Sequence, residues 1–187
     1  MKQVQNIVVI LLGSIVLISC EPSRKQDSHE IAEEKNKKNF DTRTGEKEAA
    51  FVANAIQGNF AEIKLAELAS TKSSNKELQA IAQELVSDHT NSNAKLQNLA
   101  SKKGISIPVE EGEEAKEKVN ALAKEKQPDF DKKWCDVLVD KHEKTIRDFE
   151  SMQEKSEDPE LKEIIDTTLP ELRAHLEKLN AIEKNMM

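Results

Sequence analysis

The sequence predicts an all-α domain built as a four-helix bundle, and three observations predict it. Helix breakers and strand formers are scarce: 187 residues include 5 Gly, 5 Pro, 5 Phe, 1 Trp and no Tyr, while Ala, Leu, Glu and Lys, which favour helix, abound. Charged residues make up 34% of the chain and apolar ones 37%, the balance of one ordinary domain with a solvated exterior. Four long segments then repeat apolar side chains every three or four positions, the period of a helix with one buried face. The same counts argue against a β-sandwich or a Gly-rich nucleotide-binding fold. The formal charge of −7 argues against a nucleic-acid binder, since no basic face could dominate it.

The first segment is not part of the bundle. Lys2 is the only charge before Glu21, and Ile7 to Ile18 is apolar apart from Gly13 and Ser14. Twelve residues of helix rise about 18 Å, short of the ~30 Å hydrocarbon core of a membrane. Residues 1–19 therefore read as a signal peptide. The run Leu17-Ile18-Ser19-Cys20 resembles the bacterial lipobox, in which the chain is cut before the cysteine and the cysteine is acylated. The expectation is a cell-envelope lipoprotein anchored to the membrane through lipid on Cys20. Glu21, in place of the Asp associated with inner-membrane retention, favours the outer membrane facing the periplasm. The alternative is an ordinary secretory signal that happens to contain a cysteine. With Cys20 lipidated, Cys135 has no partner for an internal disulfide. Cys135 is then a small buried residue or a neighbour of a site near His142.

Residues 20–45 are expected to be the lipidated cysteine and a flexible tether, because only Ile31, Ala32 and Phe40 interrupt a polar and charged run. His29 lies there and should be solvated, without a role. The bundle domain is expected over 46–187. Its first helix is predicted over 46–72, with Phe51, Ala55, Gly58, Leu65 and Ala69 on one stripe, widened by Val52, Ile56, Phe60 and Ile63. Ser74 or Asn75 caps a second helix over 76–103, which carries Leu78, Ile81, Leu85, Leu96 and Leu99 inward and stops at Gly104. A long connection follows over 105–128, punctuated by Pro108, Gly112 and Pro128, with a short surface helix in its charged middle. The third helix is predicted over 129–155 (Phe130, Trp134, Leu138, Ile146, Phe149) and the fourth over 158–185 (Leu161, Ile165, Leu172, Leu179, Ile182). Pro170 either kinks the fourth helix or starts a new one. The connection either returns along the bundle or turns at one end, and periodicity does not choose.

The informative feature is a set of polar residues on apolar stripes. The inward series of the second, third and fourth helices place His89, His142 and His175 on buried faces, and the first places Glu62 there. Counted from the helix ends, all four fall near mid-height, Glu62 about one turn (~5 Å) off. Imidazole nitrogens and a carboxylate in a bundle core suit a transition-metal ion such as Fe, Zn, Mn or Cu. Asp88, Asp140, Glu171 and Glu67 are expected as secondary ligands or as hydrogen-bond partners of the ligands. The other reading is a buried polar network that fixes helix register without a metal. No G-x-S-x-G, Walker A, HExxH, CxxC or EF-hand pattern supports a catalytic or nucleotide function.

The ordered pieces Phe51-Val52, the mid-helix Glu62, Asp88-His89, Phe130-Asp131, Asp140-Lys141-His142 and Leu169-Pro170-Glu171-Leu172-Arg173-Ala174-His175 resemble the bacterial family called domain of unknown function 4142, over about 46–183. The resemblance implies a ferritin-like four-helix bundle exported to the periplasm or outer membrane, with no established activity. It carries the family's motif positions onto Glu62, Asp88, His89, His142 and His175. The pattern departs from two-iron ferritins, whose paired Glu-x-x-His motifs are missing, since Asp88 and His89 adjoin and Glu171 is four residues before His175. A mononuclear or adventitious metal site is the expectation. Two functions follow: a metal-binding envelope lipoprotein, or a non-catalytic envelope module that binds another protein or peptidoglycan. An enzyme with a histidine base beside Glu62 is a third, with no motif to supply its substrate pocket.

Overall fold

The computed structural model describes residues 26–186, so the signal peptide and Cys20 lie outside the described residues. These form six helices and no strand: α1 (Ser28–Asn39), α2 (Arg43–Lys72), α3 (Lys76–Lys103), α4 (Glu113–Lys124), α5 (Asp129–Lys155) and α6 (Pro159–Asn185). Local chemistry sets their ends. The Asn75 side chain accepts from the backbone N–H groups of Glu77 and Leu78 at the start of α3, satisfying donors that have no intrahelical partner. Asp158 does the same for Glu160 and Leu161 on α6. Gly104 closes α3 in the left-handed region (φ 68°), where a side chain is strained. α6 runs unbroken through Pro170, so the proline does not begin a new helix.

The expected tether is corrected. Residues 28–39 are helical, and α1 packs along α2 through buried Ala32 and Asn36. Asn36 makes two bonds with the backbone of Ser106: its amide donates to the carbonyl, and its carbonyl accepts from the N–H, both at 2.8 Å. His29 is not idle, since its Nε2 lies 2.6 Å from Asn54 Oδ1 on α2. The polar composition of α1 concealed it, because only two of its residues are buried. α2 likewise starts at Arg43, earlier than predicted, capped by Thr42.

The connection returns along the bundle. Two apolar layers fill the core. One holds Leu65, Ala69, Leu78, Leu85, Phe130, Trp134, Leu138 and Leu179. The other holds Val52, Ile56, Leu96, Leu99, Phe149, Leu161 and Ile165. The end of α3 thus lies in the second layer and the start of α5 in the first, with α4 against α2 and α5 between them. Lys72 at the end of α2 donates to the Ala123 carbonyl of α4 at 2.8 Å, which places the end of α4 at the first layer. This is the long crossover of a ferritin-like bundle, with α3 and α5 parallel. Trp134 is fully buried and its indole N–H donates to the Leu65 carbonyl at 2.8 Å. Each such side chain removed from water contributes about 1.5–3 kcal/mol, which lets the core tolerate a polar stratum between its two apolar layers.

Candidate metal centre

That stratum is where the four helices bring Glu62 (α2), His89 (α3), His142 (α5) and His175 (α6) together. The inward series that singled out the histidines of α3 and α6 holds: Leu78, Ile81, Leu85, His89, Ser92, Leu96 and Leu99 on α3, and Leu161, Ile165, Thr168, Leu172, His175 and Leu179 on α6, are all buried. The three imidazole rings form a near-equilateral triangle, with centroids 5.6, 5.7 and 5.5 Å apart. One nitrogen of each lies within 4.8 Å of the others. Three ligands around a tetrahedral ion at about 2.0–2.1 Å sit about 3.4 Å apart, so a small inward movement of the rings closes the set.

The hydrogen bonds decide which nitrogen faces inward. Asn59 donates from Nδ2 to Ser92 Oγ (3.2 Å) and Asn93 Oδ1 (2.9 Å), which turns its own Oδ1 towards His89 Nδ1 at 2.8 Å. That oxygen can only accept, so His89 Nδ1 carries the proton and Nε2 a lone pair. His142 Nδ1 donates to the Leu138 carbonyl at 3.0 Å, and His175 Nε2 to Asp88 Oδ2 at 3.0 Å. The remaining nitrogens, His89 Nε2, His142 Nε2 and His175 Nδ1, are buried without a hydrogen-bond partner, and so is Glu62 Oε2. Glu62 Oε2 lies 3.2 Å from His89 Nε2 and 3.3 Å from His142 Nδ1, but neither contact is aligned as a hydrogen bond.

The three inward nitrogens are a set that could hold a metal ion. A ligating histidine characteristically donates its other N–H to a carbonyl or carboxylate, which fixes the ring and its tautomer. All three histidines here do so. Burial lowers the basicity of His142 against the opposing charge of Glu62, and that of His175 against the bond to Asp88, which keeps both rings neutral and able to ligate. Burial alone would raise Glu62, yet in acid, where His142 and His89 carry charge, they and Lys141 outweigh it and bring the carboxyl down to about 2. The result is three inward-facing imidazole nitrogens with one buried carboxylate beside them. Such a set suits Zn(II), Fe(II), Mn(II) or Cu(II) more than Cu(I), which favours sulfur.

Asp88 stands as expected, on the ring of His175. Asp140, Glu171 and Glu67 do not: all three are exposed. Glu67 instead pairs with Lys64 at 2.9 Å. Four residues of helix rotate by about 40° more than a full turn, enough to swing Glu171 off the face that His175 shares with the core. Cys135 is a buried member of the first apolar layer, and burial pushes its thiol up to about 12, so it is packing and not a ligand. Asn59 and Glu84 escaped the sequence reading. Asn59 sits one turn before Glu62, a spacing that could have revealed it.

Among solved structures, the fold matches a DUF305 fragment from Deinococcus radiodurans, with a TM-score of 0.65 at 13% identity, covering 74% of this chain and 96% of that one. It also matches CopM in its Cu(II)-bound form, with a TM-score of 0.64 at 16% identity, covering 75% and 97%. At these identities the likeness is one of fold. No curated protein matches the sequence significantly. The family model described as Domain of unknown function (DUF4142) matches residues 33–182, a span that takes in the second half of α1 and all four core residues. The chain belongs to that family.

Proposed function

We propose that this protein binds one divalent transition-metal ion in its bundle core, through His89 Nε2, His142 Nε2, His175 Nδ1 and Glu62. One observation carries the reading: three buried imidazole nitrogens converge without a hydrogen-bond partner, and a buried carboxylate oxygen of Glu62 beside His89 and His142 has none either. Uncompensated, such a group is costly; a cation satisfies the three nitrogens at once, and Glu62 beside them balances its charge. CopM, a Cu(II)-bound protein of the same fold, supports copper among the ions to try. The competing arrangement replaces the ion by a proton shared between Glu62 and a histidine.

Metal content of the purified, untagged chain, read by mass spectrometry after anaerobic reconstitution with Fe, Zn, Mn or Cu, tests it. Near one ion per chain is expected, with loss in a His89→Ala/His142→Ala variant. A chain that takes up no ion under any of these conditions leaves the proton network in its place.

We further propose that the protein is an envelope lipoprotein acylated at Cys20, facing the periplasm from the outer membrane. The lipobox-like run at 17–20 supports this, with Glu21 after the cysteine favouring the outer membrane. Cys20→Ser should abolish incorporation of labelled palmitate and release the protein from the membrane fraction. Labelling that survives the substitution overturns it.

A further inference from the structure

The four donor residues are sealed from solvent: Glu62, His89, His142 and His175 expose 2, 3, 0 and 2% of their surface. An ion can reach them only where ligating side chains lead inward. Among the described residues, a second group of metal-ligating side chains adjoins the centre, consisting of Glu84, Asp88 and His175, with ligating atoms within 4.8 Å of one another. Glu84 and Asp88 stand one turn apart on α3, and His175 faces them from α6.

His175 belongs to both groups. Its Nε2 edge meets Asp88, and its Nδ1, buried and without a partner, belongs to the core set. Exposure of the side chains rises stepwise from the core outward, from 3% at His175 to 31% at Asp88 and 39% at Glu84. A cation already stands at the outer end. The Lys178 ammonium contacts both oxygens of Glu84, at 2.6 and 2.7 Å. That pair is half exposed, and exposed pairs contribute little, so a divalent ion displaces the ammonium readily.

We propose that Glu84 and Asp88, beside the outer edge of His175, are the loading station through which a divalent transition-metal ion, held first by the two carboxylates in place of Lys178, passes into the core centre. This rests on the metal reading of the centre. It makes Glu84 a kinetic element: it acts on how fast the ion enters and leaves, not on how tightly it is finally held. The acidic chain as a whole attracts cations, but among the described residues only the α3–α6 seam offers ligands that are continuous with the buried set.

The test follows metal loading in stopped flow, using the purified full-length chain stripped of metal and mixed with Cu(II) or Co(II). Quenching of Trp134, the single tryptophan, reports arrival, since it lies on α5 about 12 Å along the axis from His142. Glu84→Gln should slow association and release alike by about threefold or more, with affinity held within about twofold. Lys178→Gln should speed association. Glu150→Gln, which removes the same charge at the Arg173 pair on the α5–α6 seam, should change the rate by less than about twofold. Equal slowing by Glu84→Gln and Glu150→Gln overturns the proposal, as does a Glu84→Gln variant with altered affinity and an unaltered association rate. A wild-type chain that never binds metal overturns the metal reading itself, an outcome distinct from a chain that loads at a rate indifferent to Glu84.

Discussion

Asp88 and His175 face each other across the α3–α6 seam, with Asp88 Oδ2 3.0 Å from His175 Nε2, and this single bond points the other nitrogen of the ring at the bundle axis. The carboxylate can only accept, so it selects the tautomer whose free lone pair is Nδ1. Sequence neighbours thus split their work: His89 turns its unpartnered nitrogen to the core side of α3, while Asp88 beside it holds a histidine of another helix.

Asp88→Asn should therefore weaken metal binding although Asp88 need not touch the bound ion. An amide satisfies the ring with either tautomer, so the fixed orientation is lost. Affinity should fall by about 10- to 100-fold, measured at equilibrium by competition with a chelator of known strength.

Glu62→Leu separates stability from function. The metal-free chain holds an ionised carboxylate in a dry stratum, and replacing a buried charge by an apolar residue of similar volume is often neutral or stabilising, by about 1–4 kcal/mol. Urea unfolding of the metal-free variant should show a midpoint equal to or above that of the wild type, while metal binding is severely weakened. A midpoint well below the wild type would show instead that the ion pairs with His89 and His142 hold the core.

Stability of the metal-free chain should fall as pH drops below about 6.5. His142 and His175 are held below that value in the fold, so the unfolded chain takes up protons that the folded chain does not. Each contributes a loss of about 1.4 kcal/mol per pH unit until its folded value is reached. Glu62 adds to the loss between its ordinary 4.5 and about 2. Denaturation midpoints across this range should show the slope, and His142→Gln should flatten it.

Asp158 joins a helix cap to an ion pair, accepting from the N–H groups of Glu160 and Leu161 at 2.9 and 3.1 Å and pairing with Lys103. Burial raises its carboxyl, but Lys103 and the two N–H groups prevail and lower it below the usual 3.8. Asp158→Ala should destabilise the chain by about 0.5–2 kcal/mol. Because the folded value is the lower one, the contribution is complete above pH 3.8 and vanishes as pH falls through the folded value. Thermal melts of the two forms should accordingly converge in acid.

The histidines were legible in the sequence because α3, α5 and α6 each bury one narrow stripe, and a polar residue on a narrow stripe stands out. α2 was harder to read. It packs against α1 on one side and α3 and α5 on others, so Ala53, Asn59 and Ala66 are buried while Ala55 and Gly58, placed on the expected stripe, are only half so. Partners reached across helices, such as Asp88 on His175, depend on how neighbouring helices are rotated. Periodicity within one helix does not contain that rotation, which is why Asp140 and Glu171 could be named beside Asp88 and yet face solvent.

The packing of α1 alters the leash more than the fold. A free segment reaching to residue 45 would let the domain wander far from its attachment. With α1 laid along the flank of α2 and its first turn beside Asn54, the chain departs from the side of the bundle near its waist. Were Cys20 acylated, only six residues would lie between it and the Asp27 cap, a span of seven Cα steps that reaches at most about 25 Å. The bundle would then ride close against the lipid with its α1 flank down, moored broadside like a hull at a quay.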